Sequence, residues 1–518
     1  SAQSGTEPSD ASSATTTNAV SRDSLIKAAD SYVDLGGYLW YTAGGKLCRW
    51  REGGSVETLR ELPYNDVTDQ PAIATLAVEY DQVALRWHIG GATTGTTMLE
   101  LYGADGKRTM ELDGSAPFAI SGNTIVKLRS FPPTTGNLLL STDGGKTWKN
   151  INLDMTMSGG DVSWHNESSM HWCSSLAIDP HNTGKIMVVS GNGIFSCDNI
   201  WDEHPAFYFF AEGIEETVPY ELVSIPGGEL VTVVGDYDGF TQDDAAEFGT
   251  RHSSNAGSMT GLAVAAANTD VWVKAANSDT GNDFWYSEDR GVTWSNKVTA
   301  PVSGQNGHGG SVAISADGST FYWAPDNMAF VFWSDDKGKT WNQSEGGMSA
   351  KRLIADPVNP DYLYAASGST FYYSDDRGKT FTANSELSVF TSTRPVVEAG
   401  VEGKIYYPAM GLQVSTDHGK TFTRLSTVSN CQMVGLGRGK NDGDPAVIYI
   451  WGQPTSDDPV GLYWSTDEGA TWSRINDDNH QFGGTGNGKF VYGDWNKYGR
   501  VYMSTLGLGV VYGDLIEE

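Results

Sequence analysis

The residues best placed to do chemistry stand in one short turn, Gly235-Asp236-Tyr237-Asp238-Gly239-Phe240. The apolar run Leu230 to Val234 leads into it and reads as a strand. A strand that ends in Gly-Asp, with another glycine close behind, reverses sharply and leaves carboxylates at its tip. Carboxylates displayed in this way are the groups that acid–base chemistry uses. An acidic surface turn is the plainer alternative. Six further aspartates, Asp143, Asp289, Asp336, Asp376, Asp417 and Asp467, recur in one motif, S-x-D-x-G-x-T-[W/F]. A residue repeated at a regular period cannot mark a single site, so these six are read as turn-builders. The histidines have no metal-ligand spacing, and neither a metal nor any other cofactor is expected. Cys48, Cys173, Cys197 and Cys431 lack metal-site spacing as well. One disulfide, with Cys173–Cys197 the first pair to test, and buried free thiols both remain open.

The elements that position these residues are strands. The 518 residues include 62 Gly, 17 Trp and 23 Tyr, which favours short aromatic-rich strands joined by tight turns. Alternating runs such as Tyr38–Ala43, Lys46–Arg51 and Val83–Gly90, separated by Gly- and Asp-rich turns, fit antiparallel meanders. A short helix over Asp23–Ala29 is the one helical candidate. The six motif copies are Asp-boxes, in which Asp and Ser bond turn amides and the aromatic packs under a hairpin. The later five recur at roughly 40–50 residues, the period of a four-stranded propeller blade. The expected fold is therefore all-β, a β-propeller array. Strands at YELVSI, MTGLAVA, GSVAIS, RLIADP, PVVEAG, MVGLGR and KFVYGD predict seven units after Tyr220. Before it about four are legible, near Leu35, Ala72, Pro117 and Ser174. This predicts residues 1–22 as a flexible tether, 23–217 as a smaller or irregular propeller-like half, and 218–518 as a seven-bladed propeller; one large ring is the alternative.

The net charge of −30 excludes nucleic acid as a partner and leaves neutral or cationic ligands, with uncharged polysaccharide the natural candidate. No basic patch for a polyanion is legible. No apolar run is long enough to span a membrane. The first residues, SAQSGTEPSDASSATTTNAVS, read as a tether left after removal of a secretion signal, and a lipoprotein whose anchoring cysteine has been cut away also fits. A secreted or cell-surface monomer is expected.

From Trp172 onward the chain resembles glycoside hydrolase family 74, the xyloglucanases and related endo-β-1,4-glucanases built from two β-propellers. The resemblance rests on WCSSLAIDP at 172–180, GIEET at 213–217, GDYDGF at 235–240, GGSVAISADGSTFYWAP at 309–325, RINDDNHQFGG at 474–484 and YGRVYMSTLGLGVVYGD at 498–514. It implies hydrolysis by inversion, with two aspartates facing each other across an open cleft about 6.5–9.5 Å apart. Asp236 matches the family's second catalytic aspartate and so takes the general-acid role. Asp238 replaces a glycine of that motif; a second carboxylate there would raise the pKa of Asp236 or mark a turn adapted to other work. In Val33-Asp34-Leu35-Gly36-Gly37, Asp34 is the nearest match to the general base, with a structural turn as the alternative. Trp164, Trp172 and His171, together with Asp238, Phe240, His480 and Gln481, are the implied contacts for a plant cell-wall β-glucan or xyloglucan oligosaccharide, although blade core is the plainer use of such aromatics. From another class, a glycan-binding propeller without catalysis fits the same motifs. A sialidase would carry an early Arg-Ile-Pro motif, which is absent.

Overall fold

The computed structural model describes residues 20–516 apart from 80, 92–93, 129–137, 152–153, 166–169, 171–172, 192, 214–216, 279–280, 347, 349–351, 369, 385–386, 388–392 and 487. Its chain forms two compact units. One holds the residues up to Asp161 together with His165–Ala211, and the other holds Val162–Trp164 and Glu212 onward.

The first unit opens with helix α1, Arg22–Ala28, one residue ahead of the predicted span. Ser21 caps it, its side chain accepting from the Ser24 amide. Four meander sheets follow, with first strands Ser31–Leu35, Ile73–Glu79, Phe118–Ser121 and Ser175–Ile178. The fourth gains an extra strand, Thr156–Ser158, parallel to Ala206–Phe209. Trp40, Leu47, Val83 and Leu85 are fully buried where the first two sheets pack together.

In the second unit, each of the seven segments named from the sequence supplies the first strand of a sheet: Pro219–Ser224, Met259–Val264, Ser311–Ile314, Arg352–Ala355, Val396–Val397, Asn430–Gly437 and Val491–Gly493. Inner strands such as Trp272–Ala276 and Ile405–Ala409 are buried at every position. Both faces of a sheet are therefore covered by its neighbours, which is why these strands read as nearly continuous apolar runs, Lys274 being the charged exception in Trp272–Ala276. Fourth strands such as Asn342–Gln343 are short and exposed.

A cavity of about 220 Å³ is lined by the first strand of all seven sheets, through Glu221, Leu262, Ala313, Leu353, Val396, Leu436 and Tyr492. The last sheet returns to the first. Trp495 N donates to Ser224 Oγ at 3.0 Å and Tyr492 Oη to Glu221 Oε1 at 3.0 Å. Asn496 Nδ2 donates to the carbonyls of Ile225 (2.9 Å) and Gly228 (3.1 Å), while Gly227 N donates to Asn496 Oδ1 (2.6 Å). Leu222, Phe490 and Tyr502 bury an apolar seam across the same junction.

Antiparallel pairing sorts the turns onto two edges. The turn between strands two and three lies on the edge where the chain enters each sheet; the turn between strands three and four lies on the other. Asp236 belongs to the first edge, and the Asp-boxes of the second unit lie on the second. The boxes are alike in all six copies. Asp Oδ1 accepts the Thr amide at 2.8–2.9 Å and Oδ2 accepts Thr Oγ1 at 2.6–2.7 Å. Their aromatics, Trp148, Trp294, Trp341, Phe381, Phe422 and Trp472, each pack on a core cluster.

All four cysteines are buried free thiols, so the Cys173–Cys197 disulfide does not form. Burial pushes both thiols above their ordinary pKa, which keeps them protonated and unreactive. No helix among the described residues is long and apolar enough to cross a membrane.

Candidate active site

The turn after Leu230–Val234 is held from every side. Val234 N donates to Asp238 O at 2.9 Å and Gly235 N to Val218 O at 2.8 Å. Tyr237 N donates back to Gly235 O at 2.7 Å, and Asp236 between them has φ +64°. A three-residue turn centred on a positive φ is the rare, strained form of the γ-turn. Asp238 follows at φ +70°. Ser258 clips the strained residue twice: Asp236 N donates to its Oγ at 3.0 Å, and that hydroxyl donates to Asp236 Oδ1 at 2.9 Å. Arg251 Nε donates to Tyr237 O at 3.0 Å. Of the ten residues 231–240, Asp236 alone is exposed. The backbone thus turns one carboxylate out of a buried run, with one oxygen fixed and the other without a partner among the described residues.

Asp238 points the opposite way. Its carboxylate is fully buried and bonds the Lys274 ammonium, Ser254 Oγ and, at 3.2 Å, Ala256 N. His252 Nδ1 lies 3.7 Å from it, and the Trp294 ring covers Lys274 at 3.8 Å. Burial alone would raise the Asp238 pKa, but the bond to His252 and the charge of Lys274 outweigh it and hold the group below the usual carboxylate range. Burial lowers His252 to about 4 and depresses Lys274 as well. This corrects two expectations. Asp238 cannot touch substrate, and its charge is spent on Lys274 inside the sheet, so its role is to anchor the turn that carries Asp236.

Trp164 meets this turn through edge contacts with Tyr237 (5.0 Å between centroids) and Phe240 (5.2 Å). Phe240 itself is 8 % exposed, which makes it chiefly core. The two rings line a cavity of about 850 Å³ with Phe248, Phe482 and Tyr512. His480 is exposed and bonds Asp477 Oδ1 at 2.6 Å; it lines an adjoining cavity that shares Phe482 and Tyr512. Gln481, half-buried, bonds the carbonyl of Asp477 at 3.4 Å. His171 and Trp172 lie outside the described residues. In the first unit Asp34 sits inside the strand Ser31–Leu35, one residue before its turn, and is ion-paired with Arg22 of α1. Sequence reading missed Ser258, Arg251 and Lys274, which lie 22, 15 and 38 residues beyond Asp236 and carry no motif. Tyr512 stood inside a quoted motif without being singled out.

A family profile described as BNR/Asp-box repeat matches residues 139–150, the first Asp-box and its flanks. A xyloglucanase of Paenibacillus sp. is 32 % identical over 418 residues, 73 % of this chain and 40 % of the relative. A xyloglucanase of Acetivibrio thermocellus is 34 % identical over 408 residues, 72 % of this chain and 47 % of the relative. The chain thus spans less than half the length of these curated relatives. Among solved structures, the GH74 enzyme of Niastella koreensis superposes with TM-score 0.74 at 28 % identity, covering 92 % of this chain and 72 % of that one. Sheet repeats and Asp-boxes define the class, a propeller-like all-β protein. Within that class, the resemblance to glycoside hydrolase family 74 holds in both sequence and structure.

Proposed function

We propose that the chain hydrolyses xyloglucan or a related β-1,4-glucan by inversion, with Asp236 as general acid on a seven-bladed second propeller. The observation that carries this reading is the turn itself: a strained, doubly clipped γ-turn that exposes Asp236 and nothing else in its run. Strain of this kind costs about 1–3 kcal/mol and persists where surrounding bonds over-determine it. Ser258 fixes Oδ1, and the other oxygen carries the proton that passes to the glycosidic oxygen as the C1–O bond breaks. A second carboxylate removes a proton from water, which attacks C1 from the opposite face. Trp164 and Phe482 offer ring faces beside the turn for sugar stacking. The polymeric substrate places such an enzyme outside the cell, secreted or at its surface.

Asp236→Asn tests the role. Folding and oligosaccharide binding should persist while turnover on xyloglucan falls at least about a hundredfold, the contribution expected of general acid catalysis. Normal turnover would remove Asp236 from the chemistry. NMR of the anomeric product checks inversion. Asp34→Ala tests the proposed base: a comparable loss assigns it, and unchanged turnover excludes it. The Arg22–Asp34 ion pair favours a second reading, a glycan-binding protein without catalysis, because it engages the carboxylate that the base role requires. Binding of glucan without release of reducing ends would establish that reading.

A further inference from the structure

A strongly acidic chain gathers four cations in one place. Arg352, Arg394, Arg424 and Lys489 line a basin of about 660 Å³ in the second unit, and no Asp or Glu lines it with them. Three of the four stand where the chain enters a first strand: Arg352 opens Arg352–Ala355, and Arg394 and Lys489 each stand two residues before Val396–Val397 and Val491–Gly493. The turn Pro408–Gly411, between second and third strands, lines the basin too. The basin therefore opens on the edge of the sheets that also bears Asp236.

The two inner arginines differ. Arg394 is anchored, ion-paired with Glu221 and donating to Tyr220 O at 3.2 Å. The half-buried Arg352 side chain has no hydrogen-bond or ion-pair partner among the described residues, and its Nε is shut from solvent. Burial lowers its pKa, with Tyr492 and Asp326 acting in the other direction. A guanidinium nevertheless stays charged in a protein. A half-buried cation with one nitrogen shut from solvent and no partner is costly unless an anion meets it, and the planar guanidinium suits two-oxygen anions best. Asn430, Thr393 and Thr485 add neutral polar groups to the wall. In a protein of net charge −30 this is a local inversion of field that only tertiary structure creates.

We propose that this basin binds an oxyanion, a carboxylate or phosphate group presenting two or more oxygens to Arg352, with Arg424 and Lys489 at the rim. The site does not depend on the hydrolase reading. Two sources share this chemistry, an acidic sugar on a glycan and free phosphate. Titration calorimetry of the intact chain with glucuronate and with inorganic phosphate, at an ionic strength held constant with chloride, separates them. One saturable site is expected for at least one of the two, and the one that binds identifies the source. Arg352→Met should weaken binding at least about tenfold, the loss of one good charged contact. Because that side chain is half-buried, the surface double variant Arg424→Gln with Lys489→Gln provides an independent arm with a similar expected loss. Asp236→Asn should leave the affinity unchanged. No saturable binding of either anion, or binding indifferent to both sets of substitutions, overturns the proposal.

Discussion

At the scale of single residues, the exposed turn at Asp236 was legible because its signal is local: an apolar strand, Gly-Asp, and a glycine three residues after the aspartate. Asp238 was misread because its partners are not local. Lys274, His252 and Ser254 lie 36, 14 and 16 residues away, and no pattern in the sequence announces that the three meet. Their meeting has a consequence in pH. His252 is buried against Lys274, Asp238, Thr241 and the Trp294 ring, and burial lowers it from 6.5 to about 4. As pH falls below 6.5 the unfolded chain takes up the proton first, so stability declines between about pH 6.5 and 4. Asp238 behaves in the same direction lower down: its contribution is present above the unfolded pKa and lost as pH falls through about 2. Replacing His252 with Asn should flatten the upper window, removing a slope on the order of 2–3 kcal/mol across it. Urea midpoints from pH 7 to 4 measure this, and parallel slopes in the two proteins would show that His252 titrates as an exposed histidine does. Lys274→Met should be harsher. It leaves the Asp238 carboxylate buried without its cation, at a cost of about 3–5 kcal/mol.

At the scale of elements, the Asp-boxes show why the fold class could be read from the chain. Every bond of the motif closes within seven residues, from Ser374 to Thr380 in the fourth copy, so the sequence contains the whole structure. The same antiparallel pairing that separates the turns puts the five box aspartates of the second unit on the edge away from Asp236. Asp376→Ala removes three accepted bonds, from Ser374 Oγ and from the Thr380 amide and hydroxyl, and should lower stability by about 1–2 kcal/mol. Turnover per folded molecule should not change. A large loss of activity with a normal melting curve would give Asp376 a role in chemistry that its position denies. Arg352 stood in the quoted strand RLIADP, but its charge carries no signal of which groups it will face. The cationic basin was invisible for the same reason: its four members span 138 positions, from Arg352 to Lys489, and converge only when first strands from several sheets line up.

At the scale of the whole second unit, the succession of sheets was legible from periodicity, whereas the bonds between the last sheet and the first, which join residues about 270 positions apart, carry no local signal. Periodicity predicts units; it does not say whether the last meets the first. The junction is narrow and polar at its outer end, where Asn496 alone makes three hydrogen bonds to the hairpin Ile225–Gly228. An open array of sheets is stabilised by nearest neighbours only, so weakening its last member frays that end and leaves the rest. A closed ring has no end: loosening one junction exposes the apolar faces of both sheets that meet there and lowers the protection of each. Asn496→Ala should therefore cost about 2 kcal/mol, from three bonds that water partly replaces. Hydrogen exchange decides between the two cases. Amides of Tyr220–Ser224 and Leu230–Val234 should lose protection together with those of Val491–Gly493 and Val501–Ser504, while strands away from the junction, such as Leu363–Ser367, change by the same global amount or less. Loss confined to the last sheet would mean that the hydrogen bonds across the junction hold no ring, and that the seven sheets stand as an open stack.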